Sequence, residues 1–65
     1  MPVINGKKLP SFSGFSVKEY LSSQNFDERR IAVEYNGSIV QEKDYENCIL
    51  HEDDQLEVVT FVGGG

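Results

Sequence analysis

The chain is poor in the residues that staple or stiffen a fold. Of its 65 residues one is Cys, two are Pro and one is Met, and there is no Trp. A single cysteine, Cys48, excludes an internal disulfide and cannot supply the ligand set of a structural zinc site, so the fold must stand on packing alone. Long apolar runs are missing as well. None approaches the roughly 20 residues that span a bilayer, and residues 1–10 lack the basic stretch and apolar core of a signal peptide. The expected location is the cytoplasm, away from membranes. Interior is scarce too, because a chain this short buries only about 60% of the surface its unfolded form exposes. That leaves one domain with little room for a deep catalytic pocket, and it puts any chemistry at the surface or at a terminus.

Basic charge is also in short supply. Six Lys and Arg stand against eleven Asp and Glu, a net charge of -5, which repels phosphate backbones and anionic lipids and argues against nucleic-acid partners. The asymmetry is sharper than the total. Residues 1–30 carry five basic and three acidic side chains, net +2, whereas residues 31–65 carry one basic and eight acidic, net -7. The second half is suited to steering toward a basic protein surface, or serves as a solvated face that keeps a small domain soluble.

What is present reads as alternating strands and turns around one helix. Val3 and Ile4 open a strand, Asn5 and Gly6 a tight turn, and 7–9 the return strand. Pro10, Ser11, Ser13 and Gly14 then interrupt regular structure. Ser16 with Glu19 three positions on makes a capping box for a short helix that ends near Gln24 and Asn25. Val17, Tyr20 and Leu21 form its apolar stripe, and Phe15 is placed to staple onto Tyr20. Residues 31–35 read as a strand, Asn36 and Gly37 as a second tight turn, and 38–40 as its return strand. The stretch 41–47 suits a loop or one helical turn anchored by Tyr45, and 51–54 is another turn. Residues 55–62 are the strongest strand signal in the chain. Leu56 and Val58 point one way, but Val59 and Phe61 share the other face with Glu57, so this strand is expected to be central or covered by a partner.

One helix and four or five strands pack most economically as an α+β two-layer domain. With the first hairpin and the last strand side by side at the centre, the terminal strands run parallel and the helix makes the crossover. That arrangement is a β-grasp, with a mixed four- to five-stranded sheet over residues 1–62 and a flexible tail at 63–65.

The sequence closes on Val62, Gly63, Gly64 and Gly65. Glycines are costly to order and pack nothing, so as structure they add nothing to the domain. A frayed end or linker is one reading. The other is a thin peptide without Cβ atoms, able to enter a channel too narrow for side chains and to present a carboxylate there. Cys48, beside Ile49 and Leu50, reads as a partly buried small apolar residue, since no His or second Cys lies near it. His51 amid Glu52, Asp53 and Asp54 reads as solvated surface and not as a metal site. No acid–base or nucleophile–base pair has supporting context. Tyr35, Val59, Phe61 and Val62 are the candidates for a docking surface at the sheet and tail root, with ordinary core as their alternative.

Val3, Ile4, Asn5 and Gly6, Val17 with Leu21, the block from Ala32 through Val40, and Asp54 through Val59 leading to Phe61, Val62 and the three glycines together resemble the ubiquitin-like sulfur carrier proteins of thiamine biosynthesis. The likeness covers essentially the whole length. One departure is Asp53, where that family often carries Gly, which bears on turn geometry. The resemblance implies a carrier and not an enzyme. A ubiquitin-activating-like adenylyltransferase would use MgATP to convert the Gly65 carboxylate to an acyl-adenylate. Sulfur from a cysteine desulfurase system would then give a thiocarboxylate for thiazole synthase. No cofactor or metal would be held by this chain, and Gly63 and Gly64 would enter the partner's active site. The related carriers of the molybdenum-cofactor pathway use the same tail chemistry. A non-covalent β-grasp interaction module and a protein modifier that joins lysines are the further alternatives.

Overall fold

The computed structural model of the protein describes residues 1–61, with five strands and one α-helix in the order β1 (Val3–Ile4), β2 (Lys7–Lys8), α1 (Val17–Ser23), β3 (Ile31–Tyr35), β4 (Ser38–Val40) and β5 (Gln55–Thr60). Short 3-10 turns at Pro10–Phe12, Glu28–Arg30 and Glu42–Asp44 fill the connections. Val62, Gly63, Gly64 and Gly65, and with them the expected tail, lie outside the described residues.

Both hairpins are dictated by Asn-Gly. Asn5 and Gly6 have φ of 50° and 80°, and Asn36 and Gly37 have 50° and 86°. Positive φ at both central positions is the type I′ turn, whose twist matches the strands it joins. Two-residue loops also fix the registers, Ile4 opposite Lys7 and Tyr35 opposite Ser38. The sheet order is β2-β1-β5-β3-β4, with β1 and β5 parallel and the other pairs antiparallel. This is the mixed five-stranded β-grasp, and β5 is its central strand.

The helix starts where its chemistry requires. Ser16 Oγ accepts from the Glu19 N–H at 3.0 Å and Glu19 Oε1 accepts from the Ser16 N–H at 2.8 Å, which closes the capping box. The next free donors, the N–H groups of Val17 and Lys18, reach the carbonyls of Cys48 (2.8 Å) and Tyr45 (3.0 Å). The helix N-terminus is thereby tied to the long segment before β5. At the other end Asn25 takes φ 61°, and the N–H groups of Asn25 and Phe26 donate to the carbonyls of Ser22 and Leu21. This is a Schellman stop with Asn in the left-handed position.

The apolar stripe Val17, Tyr20 and Leu21 lies on one sheet face against Ile4, Ile31, Val33, Leu56 and Val58, with Tyr45 and Leu50 closing the layer. Each fully buried aliphatic side chain contributes about 1.5–3 kcal/mol of transfer free energy, so this single layer is the main source of stability.

Three expectations shift in detail. The last strand stops at Thr60 and not at 62, although the Phe61 N–H still donates to the Arg30 carbonyl at 2.7 Å. The second strand ends at Lys8: the Leu9 N–H still donates to the Pro2 carbonyl in register, but Pro2 has no N–H to return the bond. Phe12, not Phe15, meets the Tyr20 ring, edge-on at 4.9 Å between centroids, and Phe15 packs on the outer side of Phe12 at 5.1 Å. The 3-10 turn at Pro10–Phe12 swings Phe12 into the place the staple would take.

Candidate docking face and tail root

Strand alternation assigns the candidates to faces. β3 and β5 pair with Ile31 opposite Thr60, Ala32 opposite Val59, Val33 opposite Val58, Glu34 opposite Glu57 and Tyr35 opposite Leu56. Directly paired residues point to the same side of a sheet. Val33, Val58, Leu56 and Ile31 are buried under the helix, so Ala32, Val59, Glu34 and Glu57 occupy the opposite face. Ile39, paired with Glu34, joins them from β4. No element of the described residues covers this face, where Val59 is 52% exposed and Ile39 69%. Phe61, 57% exposed, continues the alternation one step past Thr60 and is held by its N–H to Arg30. The open face is thus apolar toward the end of β5 and acidic in its middle, where two carboxylates stand directly opposite each other.

The structure brings Val59 and Phe61 together and places Tyr35 apart from them. Tyr35 shares the parity of Val33 and is half-buried on the helix side. Its hydroxyl donates to Asp54 Oδ2 and lies 3.3 Å from the Ile49 carbonyl. Asp54 also accepts from Asn36 Nδ2 at 3.1 Å and from the His51 N–H at 2.8 Å. Burial pushes the Asp54 carboxyl up, but these three donors outweigh it and hold the group below its ordinary value. The same bond to Asp54, assisted by burial, pushes the Tyr35 phenol up to about 12. Tyr35 therefore belongs to a clasp between the β3–β4 turn and the turn before β5. Asn36 completes the clasp by exchanging two bonds with Gln55, its N–H to the Gln55 carbonyl and its Oδ1 from the Gln55 N–H, both 2.8 Å.

Asn5 does the same on the other edge of β5. Its N–H donates to the Leu56 carbonyl at 2.9 Å and its Oδ1 accepts from the Val58 N–H at 2.8 Å. Where two-residue β1 runs out, a side-chain amide continues the ladder. Sequence reasoning assigned both asparagines to turns only; their spacing from strand ends was the available signal.

Cys48 is half-buried against the core, and burial pushes its thiol up, with Asp54 and Asp44 adding to the effect, so the nucleophilic thiolate is disfavoured. Among the described residues no three His, Cys, Asp or Glu side chains are grouped so as to hold a metal ion, and no helix is long and apolar enough to cross a membrane. An open depression bounded by Met1, Val3, Lys8, Glu52, Asp53 and Gln55 contains no nucleophile paired with a base. Val62, Gly63, Gly64 and Gly65 lie outside the described residues.

Comparisons with known proteins agree with this architecture. The ThiS family model matches residues 4–65. A protein named thiazole synthase from Paramagnetospirillum magneticum is 36% identical over 63 residues, covering 97% of this chain and 19% of that protein. A thiazole synthase from Magnetococcus marinus is 37% identical over 62 residues, again 19% of its length. The chain thus spans about a fifth of the length of these two relatives. Uncharacterized protein ycf40 of Porphyra purpurea is 31% identical over 62 residues, with 95% of this chain and 87% of that one covered. The crystal structure of thiamine biosynthesis protein ThiS from Geobacter metallireducens superimposes with a TM-score of 0.76 at 25% identity, over 98% of this chain and 97% of that chain.

Proposed function

The chain belongs to the ThiS family, and on that premise we propose that it is a sulfur carrier for the thiazole branch of thiamine biosynthesis. The observation that carries the proposal is that the family match extends through Gly65, which favours the glycine segment as part of the family pattern over an appended linker. A docked carrier of this kind needs a rigid domain and a side-chain-free extension, and in sequence Val62 and the three glycines follow directly on β5 and Phe61. A carboxylate is a poor acyl donor because oxide is its leaving group. A partner adenylyltransferase acting with MgATP joins the Gly65 carboxylate to AMP and releases pyrophosphate. A persulfide from a cysteine desulfurase system then attacks the acyl carbon and AMP departs. The acyl disulfide so formed is opened by a thiol, leaving the thiocarboxylate on Gly65 and a disulfide on the donor.

The sulfur acceptor in this proposal is thiazole synthase. Two proteins of that name contain a segment like this chain within one polypeptide, which argues for a working contact between the two functions. The same names favour the thiamine pathway over the molybdenum-cofactor pathway. Val59 and Phe61, continued by Val62, would meet the partners, Gly63 and Gly64 would thread the active-site channel, and the chain itself would bind no metal or cofactor.

The test is intact mass. After incubation with a thiamine-pathway activating enzyme, MgATP and a persulfide donor, one oxygen of the chain is replaced by sulfur. An unchanged mass beside a control carrier that reacts would refute the proposal. Gly65→Trp is expected to abolish conversion while the far-ultraviolet circular dichroism stays unchanged.

A further inference from the structure

The two asparagines that flank β5 sit in the same dipeptide but are held unequally. Asn5-Gly6 and Asn36-Gly37 are both exposed turns with positive φ at each residue. In such a pair the glycine nitrogen lies next to the side-chain amide carbon, with no Cβ to hinder its approach. Asn-Gly is therefore open to intramolecular attack. The deprotonated glycine nitrogen bonds to the Asn Cγ, the side-chain nitrogen leaves as ammonia, and a five-membered imide forms. Water then opens the imide, at Cγ to give aspartate or at the main-chain carbonyl to give isoaspartate. One water is consumed, one ammonia is released, and nothing is oxidised or reduced. The other two asparagines, Asn25 and Asn47, precede Phe26 and Cys48, whose side chains crowd the attacking nitrogen.

The reaction needs an Asn side chain free to turn onto its own glycine. At Asn36 both ends of the amide are occupied, Oδ1 by the Gln55 N–H at 2.8 Å and Nδ2 by Asp54 Oδ1 at 3.1 Å. Asp54 is itself fixed by the Tyr35 hydroxyl and the His51 N–H. At Asn5 the Oδ1 accepts from the Val58 N–H at 2.8 Å, Nδ2 has no partner among the described residues, and the flanking strands are two residues each. The products differ too. Aspartate at position 5 keeps an acceptor for the Val58 N–H. Aspartate at position 36 puts an oxygen where Nδ2 donated to Asp54, so an attractive contact becomes two like charges at hydrogen-bond distance. Isoaspartate adds a main-chain carbon to a two-residue turn whose length sets the strand register.

We propose that Asn36 is a deamidation site guarded by the Tyr35–Asp54 clasp, and that its hydrolysis to aspartate or isoaspartate opens the clasp for good. Because the product cannot re-form the contact that protected the amide, the turn is a one-way chemical timer on the domain. This inference is independent of the carrier function.

Peptide mapping by mass spectrometry, on the full chain held at mildly alkaline pH, follows both sites at once. In the urea-unfolded chain Asn5 and Asn36 should deamidate at similar rates, whereas in the folded wild type Asn36 should be about tenfold slower than Asn5. Tyr35→Phe removes one tie on Asp54 without altering the Asn36 side chain. It should speed Asn36 about five- to thirtyfold and leave Asn5 within about twofold. An unchanged Asn36 rate in Tyr35→Phe overturns the guard. So does an equal acceleration of Asn36 by Ser16→Ala, which weakens the helix cap and would assign the protection to global stability. Asn36→Asp should melt about 4–8 °C below the wild type and Asn5→Asp less than half as far. Wild-type melting of Asn36→Asp overturns the opening of the clasp.

Discussion

One strand, β5, presents two surfaces of opposite character. On the helix side Leu56 and Val58 are buried among ten core residues, and on the other side Glu57 and Val59 face water. The first surface is built for stability, with every apolar side chain matched by a neighbour. The second leaves apolar groups uncovered and sets carboxylate against carboxylate, which no requirement of folding explains. A domain this small has only one apolar layer to spend on its core, so what it leaves apolar on the outside is better explained by a partner than by packing.

The largest effect should come from breaking that asymmetry on the core side. Leu56→Ala is expected to cost about 2–5 kcal/mol, enough to unfold much of so small a domain. Val59→Ala, on the same strand, should change stability by about 0.5 kcal/mol or less while weakening partner docking. Urea unfolding of the two variants decides the matter, and a cost at Val59 comparable to that at Leu56 would end the distinction between the faces.

Next in size is the Tyr35–Asp54 clasp, which joins the two turns at the end of the sheet remote from the tail. Removing the hydroxyl in Tyr35→Phe should cost about 1–2 kcal/mol, the range of a hydrogen bond to a charged acceptor at a half-buried site. Its pH dependence has a definite sign on each flank. The Asp54 carboxyl is held below its ordinary value, so its contribution is complete above about pH 4 and is lost as pH falls further. The Tyr35 phenol is pushed up to about 12, so its contribution is complete below about pH 10 and is lost between pH 10 and 12. Stability curves of wild type and Tyr35→Phe should converge at both extremes, and a constant difference across the whole range would count against the clasp.

Much of the sheet was legible in the sequence because its turns are of a kind that fixes register. Asn36-Gly37 as a two-residue turn already sets Glu34 opposite Ile39, and Ser16 with Glu19 marks the helix start without ambiguity. The position of Tyr35 was not legible, since its partner Asp54 lies nineteen residues away and only the β3–β5 register brings them together. Likewise Phe12 took the place of Phe15 because a 3-10 turn, set by Pro10, reorients a segment with no periodicity to reveal it. The pairing of Glu34 with Glu57 is of the same long-range kind. Neither residue looks unusual until the register is known.

A smaller effect, still confined to the helix side, is the capping box. Ser16→Ala removes the acceptor for the Glu19 N–H and should cost about 1 kcal/mol by thermal unfolding. Sheet-face docking should be untouched, because the helix lies on the other side.

The smallest expected change concerns the turn that feeds β5. Asp53 holds φ at 67°, a conformation that costs most L-residues about 1–2 kcal/mol and Asp less. Asp53→Gly removes that strain but gains unfolded-state entropy, so the net stabilisation should be about 0.5 kcal/mol, seen as a Tm rise of about 2–4 °C. The substitution also deletes a charge from the acidic turn at 52–54, and Asp53→Asn separates the two causes. Asn tolerates the left-handed region and lacks the charge, so its effect is the electrostatic part alone. If Asn matches Gly, charge relief is the whole effect and the backbone at 53 is not under strain. If Gly exceeds Asn, and Asp53→Val loses about 1 kcal/mol or more, the backbone is the cause. Either result leaves β5 with both faces intact, so KM for the proposed adenylating partner should stay at the wild-type value.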